Sequence, residues 1–377
     1  MLMIENVLEP SLYAPVRQPL ASAEPLPPWC YTSEAFYQAE VERIFLRTWN
    51  FMGRTEMVPT PGSYYAVNFV GVPLLIIRGD DHKIRAFINS CRHRGTPLVK
   101  SGCGDKKLFS CPYHAWGFAP NGRLIAAPGM EKVAGFSMSD YGLTEVRLET
   151  WAGFMFVNFD ENAAPLSNHL GNIADHLSSY DFESMAMTRR KEYDLKCNWK
   201  AYVENAMEAY HTPTVHKASI GLQECNLVDS NGEWVGLHEE HEGTEAILAE
   251  DDSPFPFIPT LSGLADKGTY FVLVYPSTMI ACTRDCAWWL EVHPMGPARS
   301  KVIIGSLFPK STIARPDFDE VVKLYYKRWD KSLPEDNWVS ELQHEGLTPY
   351  FKTPARLSNL EPLVHTFGNW VLDQVLG

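Results

Sequence analysis

The sequence predicts an α+β protein of two domains. Three observations predict it: a length of 377 residues, a tract of short β-like runs between about residues 50 and 160, and a mixed helical and strand-like texture beyond. Length alone suggests two domains, at roughly 150 residues each. In the first tract, Tyr64–Phe69, Val72–Arg78, Ile84–Ser90, Leu108–Cys111, Gly117–Ala119 and Phe154–Asn158 are cut by Gly, Pro and Asn, which is the punctuation of a small all-β domain. Ahead of it, residues 33–50 have helical spacing, with Phe36, Val41, Ile44 and Phe45 toward one side and Ser33 as the cap. Behind it, helical stretches at 165–181, 198–211, 317–330 and 334–346 accompany strand-like runs at 187–196, 269–283, 287–294 and 301–308. Strands grouped with helices predict a larger domain with an antiparallel sheet and helices on one side. The expected division is an N-terminal arm and helix over 1–45 packing on the last domain, the all-β domain over 46–160, and the larger domain over 161–377.

Composition bounds the function. A hydrophobic content of 45% with 12% aromatics describes a globular protein with a sizeable core. The longest apolar runs, Phe154–Val157 and Tyr270–Tyr275, fall far short of the ~20 residues of a membrane-spanning helix. Glu5 and Glu9 stand where a secretory signal needs basic residues, so the expected location is cytoplasmic. A net charge of -13 argues against a nucleic-acid partner. Between Cys91 and His114, however, Arg92, Arg94, Lys100, Lys106 and Lys107 face one acid, Asp105. Such a basic patch on an acidic protein suits docking to an acidic partner. The eight cysteines are expected to be reduced thiols or metal ligands, and Cys282 and Cys286 have no neighbouring histidine or cysteine that would make them a site.

The first chemical constellation is Cys91-Arg-His93, seventeen residues, then Cys111-Pro-Tyr-His114. Two thiolates on one iron and two neutral imidazoles on the other give a [2Fe–2S] cluster less negative charge and a higher potential than four cysteines would. The imidazoles also titrate, which couples electron transfer to a proton. A Cys₂His₂ zinc site is the competing reading, but classical fingers pair Cys with Cys and His with His. The stretches C-R-H-R-G and C-P-Y-H-A-W-G-F, followed by Asn121-Gly122-Arg123-Leu124, resemble the Rieske signature of ring-hydroxylating and related oxygenases. Electron-transfer Rieske proteins carry an extra cysteine in each loop; here Thr96 and Tyr113 stand there, which favours the oxygenase branch.

The second constellation runs from Asn198 to His216. Glu204, Glu208 and His211 fall on one helical face by their spacing. His211 and His216 are five apart, about 140° on a continuous helix, so Pro213 is expected to end the helix near His211 and swing His216 around. Fe(II) that activates O₂ commonly takes two His and one carboxylate. Of the acids Glu335, Asp336 and Glu341, Glu335 has capping-box spacing from Ser332, Glu341 points elsewhere, and Asp336 is chosen. N-W-K, acid-x-x-H-x₄-H and E-D-x₄-E-x-Q resemble the catalytic domain of Rieske oxygenases.

That resemblance assigns Cys91, His93, Cys111 and His114 to the cluster and His211, His216 and Asp336 to a mononuclear Fe(II). It makes Glu208 the acid that bridges to a cluster histidine, His114, of a neighbouring subunit, and so implies a homotrimer. Most members carry Asp there; Glu occurs in some oxygenases of carnitine- and betaine-like substrates. The implied activity is a terminal oxygenase that takes O₂ and electrons from an NAD(P)H-dependent reductase or ferredoxin to hydroxylate or demethylate a small-molecule substrate. Cis-dihydroxylation of an aromatic ring and pure electron carriage are the alternatives. Met207, Phe255, Phe257, Ile258, Leu261, Trp288 and Trp289 are candidates to line an apolar pocket.

Overall fold

The computed structural model describes residues 6–347 and 355–377, so Met1–Glu5, on which the secretion argument partly rests, lies outside the described residues. Two compact units make up the chain: Arg47–Leu166, and Met1–Leu46 with Ser167–Gly377.

The Arg47–Leu166 unit is all β. Its strands are β1 (Asn50–Arg54), β2 (Ser63–Phe69), β3 (Val72–Arg78), β4 (Ile84–Ile88), β5 (Gly102–Asp105), β6 (Phe109–Ser110), β7 (Gly117–Phe118), β8 (Leu124–Ala126), β9 (Glu145–Trp151) and β10 (Phe154–Asn158). Seven pair in the order β1-β10-β9-β4-β3-β2-β5, and β6-β7-β8 form a second sheet. Sequence reading misses β1, β5, β8 and β9. In β5 the residues Gly-Cys-Gly-Asp carry no β propensity, whereas β9 alternates Val146 and Leu148 with charged residues, a signal that was available. The core gathers Leu75, Ile77, Phe87, Phe109, Trp116 and Phe118, and Cys91 and Cys111 are buried within it.

The other unit opens with α1 (Trp29–Thr32) and α2 (Glu34–Glu40), the latter capped as expected by Ser33, whose Oγ accepts from Phe36 N–H at 3.4 Å. After α3 (Leu166–Leu170) and α4 (Ile173–Leu177) come β11 (Met185–Leu195), α5 (Trp199–Ala206), α6 (Thr212–Val215), β12 (Cys225–Leu227) and β13 (Trp234–Glu240). Then follow β14 (Gly268–Val274), β15 (Thr278–Cys282), β16 (Ala287–Gly296), β17 (Arg299–Pro309), α7 (Lys310–Ile313), α8 (Phe318–Gly346) and α9 (Pro362–Leu376). The sheet order is β11-β17-β16-β15-β14-β13-β12, antiparallel throughout.

Three expectations are corrected here. The helix expected at 165–181 is broken at Gly171, whose φ of 49° suits glycine and whose missing Cβ makes room for the Asn231 carbonyl. The single run at 269–283 is two strands, because Pro276 has no N–H for a ladder and sits where the chain turns back. The two helices at 317–330 and 334–346 are one, α8, with Pro334 inside it. Packing overrides the proline penalty: Trp329 and Leu333, just before Pro334, are buried among Trp288, Phe308 and Tyr325, and Ser340 beyond it is buried as well.

The N-terminal segment is tied down by buried polar contacts. Tyr31 donates to both Glu204 carboxylate oxygens at 2.8 and 2.9 Å, and Glu40 accepts from Trp199 Nε1 at 3.1 Å and from the fully buried Lys200 ammonium. Among the described residues, which include all eight cysteines, there is no disulfide, and no helix is long and apolar enough to cross a membrane.

Candidate metal centres

Two loops of the all-β unit repeat one backbone pattern. Cys91 N–H donates to the Thr96 carbonyl and Gly95 N–H to the Cys91 carbonyl, both at 2.9 Å; Cys111 and Ala115 do the same with Trp116 and Cys111, at 2.8 and 3.0 Å. A left-handed residue sits in each loop, Gly95 at φ 77° and Ala115 at φ 58°. Both thiols are thereby buried, while His93 is exposed and His114 half-buried, their ring centroids 4.7 Å apart. Trp116 stacks on His93 at 5.0 Å. Burial pushes the Cys91 thiol up, and the N–H groups of His93 and Arg94 at its sulfur oppose that by favouring thiolate. His114 Nδ1 is buried with no hydrogen-bond partner among the described residues. Desolvation, with the neighbouring His93 and Arg94, holds that imidazole below its ordinary range, in the neutral form a metal requires.

An orphaned ring nitrogen beside a second imidazole and two buried thiols fits a [2Fe–2S] cluster. A single zinc ion fits less well. Its tetrahedron brings all four donors within about 4 Å of one another. Among the described residues, only His211, His216 and Asp336 gather three such donor atoms, all within 4.8 Å.

That second set is built by α5, α6 and α8. Asn198 caps α5, its Oδ1 accepting from Lys200 N–H at 3.0 Å, and the helix stops at Ala206. Glu208 is therefore not on a helical face with Glu204, as spacing had suggested. Its carboxylate accepts the backbone N–H groups of Tyr210 and His211, the latter at 3.0 Å, and meets His211 Nδ1 at 2.7 Å. Pro213 also acts differently from expectation. It lies in the first turn of α6 and opens a short helix instead of ending one, with His211 as its N-cap and His216 as its C-cap.

The result turns both imidazoles toward Asp336. His216 Nε2 is 2.9 Å and His211 Nε2 3.5 Å from Asp336 Oδ1, which also accepts from Asn205 Nδ2 at 2.9 Å. His216 Nδ1 meets Glu335 Oε2 at 2.7 Å. Glu335 is thus no helix cap, because α8 runs straight through Ser332 and Glu335. Each imidazole has one nitrogen toward the shared carboxylate and the other on a second carboxylate, the arrangement that fixes a metal-binding tautomer. Burial pulls His211 down, but Asp336 and Glu208 outweigh it and push the imidazole up to about 9. Burial likewise raises Asp336, and the two imidazoles win, lowering it to about 2. Two imidazoles and a carboxylate on one face fit Fe(II) with open positions. Asn205 and Glu335 are the functional residues that sequence reasoning missed; Glu335 stood beside the chosen acid.

A cavity of about 110 Å³ borders this set. Of the residues expected to line it, Met207 and Trp288 do. Phe255 packs instead among Phe308, Phe318 and Tyr325, and Phe257 lies under the Arg284 guanidinium at 3.9 Å. Trp289 points to the other face of β16 and donates to Glu291 at 2.8 Å. Ile258 and Leu261 also lie outside it, and Phe271 and Trp329 take part in their place.

Comparison with known proteins finds both domains. Residues 182–377 match the family model of the ring hydroxylating alpha subunit (catalytic domain), and residues 48–137 match the Rieske [2Fe-2S] domain. The glycine betaine monooxygenase oxygenase subunit of Pseudomonas aeruginosa is 32% identical over 93% of this chain and 89% of its own length. Chloroplastic choline monooxygenase of Atriplex hortensis is 26% identical over 95% of this chain and 80% of its own. The crystal structure of a quaternary ammonium Rieske monooxygenase with L-carnitine superposes with a TM-score of 0.78 at 23% identity, covering 93% of this chain and 96% of that one.

Proposed function

Because the chain belongs to the ring-hydroxylating oxygenase alpha subunits and carries both the Rieske [2Fe–2S] domain and the mononuclear-iron catalytic domain, we propose that it oxidatively demethylates a quaternary ammonium compound. We assign Cys91, His93, Cys111 and His114 to the cluster, and His211, His216 and Asp336 to the iron. When bound, these groups supply electron storage and O₂ activation.

The chain's own residues do the rest. Glu208 and Glu335 hold the Nδ1–H groups of His211 and His216, so that both Nε2 atoms face the Asp336 carboxylate and would turn their lone pairs to the iron once the proton between them is displaced. Asn205 fixes that carboxylate from α5. Met207, Trp288 and Trp329 give the cavity apolar walls that exclude water and hold the substrate's methyl group toward the three donors. Glu208 has a further part. Together with His211 it lines a second cavity bounded by Tyr31, Glu204 and Gln343, where the partner subunit's His114 would reach it in a homotrimer. An NAD(P)H-dependent reductase or ferredoxin supplies two electrons. With those electrons and two protons from solvent, one oxygen atom enters a methyl C–H bond and the other leaves as water; the C–N bond then breaks, releasing formaldehyde while the hydroxyl proton passes to the amine.

Glu208, at 2.7 Å from His211, carries the substrate reading. Glutamate occurs at that position in some oxygenases of carnitine- and betaine-like substrates in the family the sequence resembles. The apolar lining of Phe271, Trp288 and Trp329 favours a second reading, ring dihydroxylation. Purified protein with a surrogate reductase, offered glycine betaine, L-carnitine, choline and naphthalene, should release formaldehyde from at least one quaternary ammonium. A diol from naphthalene with no formaldehyde from any amine would replace the first reading by the second. Glu208→Ala, with iron and sulfide contents unchanged, should lose turnover; full turnover would remove the bridge.

A further inference from the structure

The cavity beside His211, His216 and Asp336 contains a strong charge that the metal site does not use. Arg328 stands on α8 eight residues before Asp336, about 12 Å along the helix axis, and lines the same cavity. It is only 5% exposed. Among the described residues it makes no hydrogen bond and no ion pair; its guanidinium lies over the Trp288 ring, 5.1 Å from the centroid. The carboxylates that act on it from a distance have other partners. Asp336 is held by two imidazoles and Asn205, and Glu245 accepts from Gln223 Nε2 at 3.2 Å.

A guanidinium offers five N–H donors and stays charged in a protein interior. Burying it without acceptors costs more than one cation–π contact returns. What satisfies Arg328 must therefore enter the cavity. A planar pair of acceptors with negative charge matches its fork best, and a carboxylate is that group. A ligand bearing only positive charge would instead be repelled. Arg328 and the three metal donors line one cavity, so a small molecule can meet the guanidinium with an anionic group at one end and present the carbon to be oxidised at the other.

We propose that Arg328 anchors the substrate through a carboxylate, so that the cavity selects a zwitterion of the betaine kind, or another carboxylic acid, over a plain cation such as choline. The inference rests on this cavity being the substrate site and deepens the reading given above.

Binding to the holoenzyme, measured by calorimetry, tests it with ligand pairs that differ only at the anion: glycine betaine against choline, γ-butyrobetaine against its methyl ester, and benzoate against benzamide. In at least one pair the carboxylate should bind tighter by about tenfold or more, the scale of a hydrogen bond to a charged group. Arg328→Gln should erase that preference, and Arg328→Lys should retain part of it. No carboxylate preference in any pair, or a preference that survives in Arg328→Gln, overturns the proposal. Should the glutamine variant not fold, the wild-type preference and its reduction in Arg328→Lys decide the matter. Formaldehyde released from choline and glycine betaine with equal kcat/KM, and no carboxylate preference in any pair, would sink the anchor and leave demethylation standing. An Arg328-dependent benzoate preference without formaldehyde from any amine would do the reverse.

Discussion

Glu335 changes its meaning between sequence and structure. Three residues after Ser332 and one after a proline, it has the spacing of a helix cap; in the folded chain it steadies His216 Nδ1 at 2.7 Å. Glu335→Gln keeps an acceptor but removes its charge, and should weaken Fe(II) affinity by about 10-fold or more, as loss of a ligand's outer partner does. Iron retained after graded chelation measures it, with the colour of the cluster unchanged. Glu204 gives a pH prediction. Burial, against the pull of Tyr31 and Lys200, raises its carboxyl from 4.5 to about 7. The unfolded chain ionises this group first, so stability falls as pH rises from about 4.5 to 7 and is level above. The loss is about 3 kcal/mol, at ~1.4 kcal/mol per pH unit. Denaturation midpoints at pH 5 and pH 8 should show a larger drop in the wild type than in Glu204→Gln, which keeps only the share of other buried carboxyls such as Glu239. At this scale the Cys-x-His motif is a rare spacing, and the structure brings His211, His216 and Asp336 together as their pattern suggested. Their partners Asn205 and Glu335 were not legible, since nothing local marks a side chain whose use is decided across α5 and α8.

Among the elements, α8 and β16 decide the site. Propensity rules end a helix before Pro334, yet α8 continues because Trp329 and Leu333 ahead of it and Ser340 beyond it are all buried. Which tryptophan meets the cavity was likewise beyond local reading: Trp288 and Trp289 are equally apolar, and the pleat of β16 alone sends one to the cavity and the other away. Trp289 is accommodated by Gly305, its antiparallel neighbour on β17, where an added Cβ would fall within the indole ring. Gly305→Ala should therefore cost about 1–3 kcal/mol by overpacking, read as a lowered urea midpoint. An unchanged midpoint would mean that the sheet can shift to admit the methyl group. Strands such as β3 and β10 were legible to the residue, because an apolar run between turn residues leaves little choice.

For the whole molecule, charge layout governs encounter. Arg92, Arg94, Lys100, Lys106 and Lys107 are all exposed around the thiol and imidazole loops of an otherwise acidic chain. Double reversal of Lys106 and Lys107 to Glu should slow reduction by an acidic reductase several-fold at low salt, with the difference shrinking as ionic strength rises. Stopped-flow reduction at two salt concentrations checks it; equal rates would place docking elsewhere. The α+β class and the two iron cofactors were legible from texture and motif, while substrate choice depends on long-range packing that a linear reading does not reach. The unit Arg47–Leu166 interrupts the other unit in sequence, and its first and last strands are neighbours, Asn50 opposite Val157. Entry and exit thus lie side by side, the condition under which a segment can be exchanged as a cassette by recombination. Lineages could therefore trade one wiring for another while leaving the shape of the reaction chamber to drift on its own.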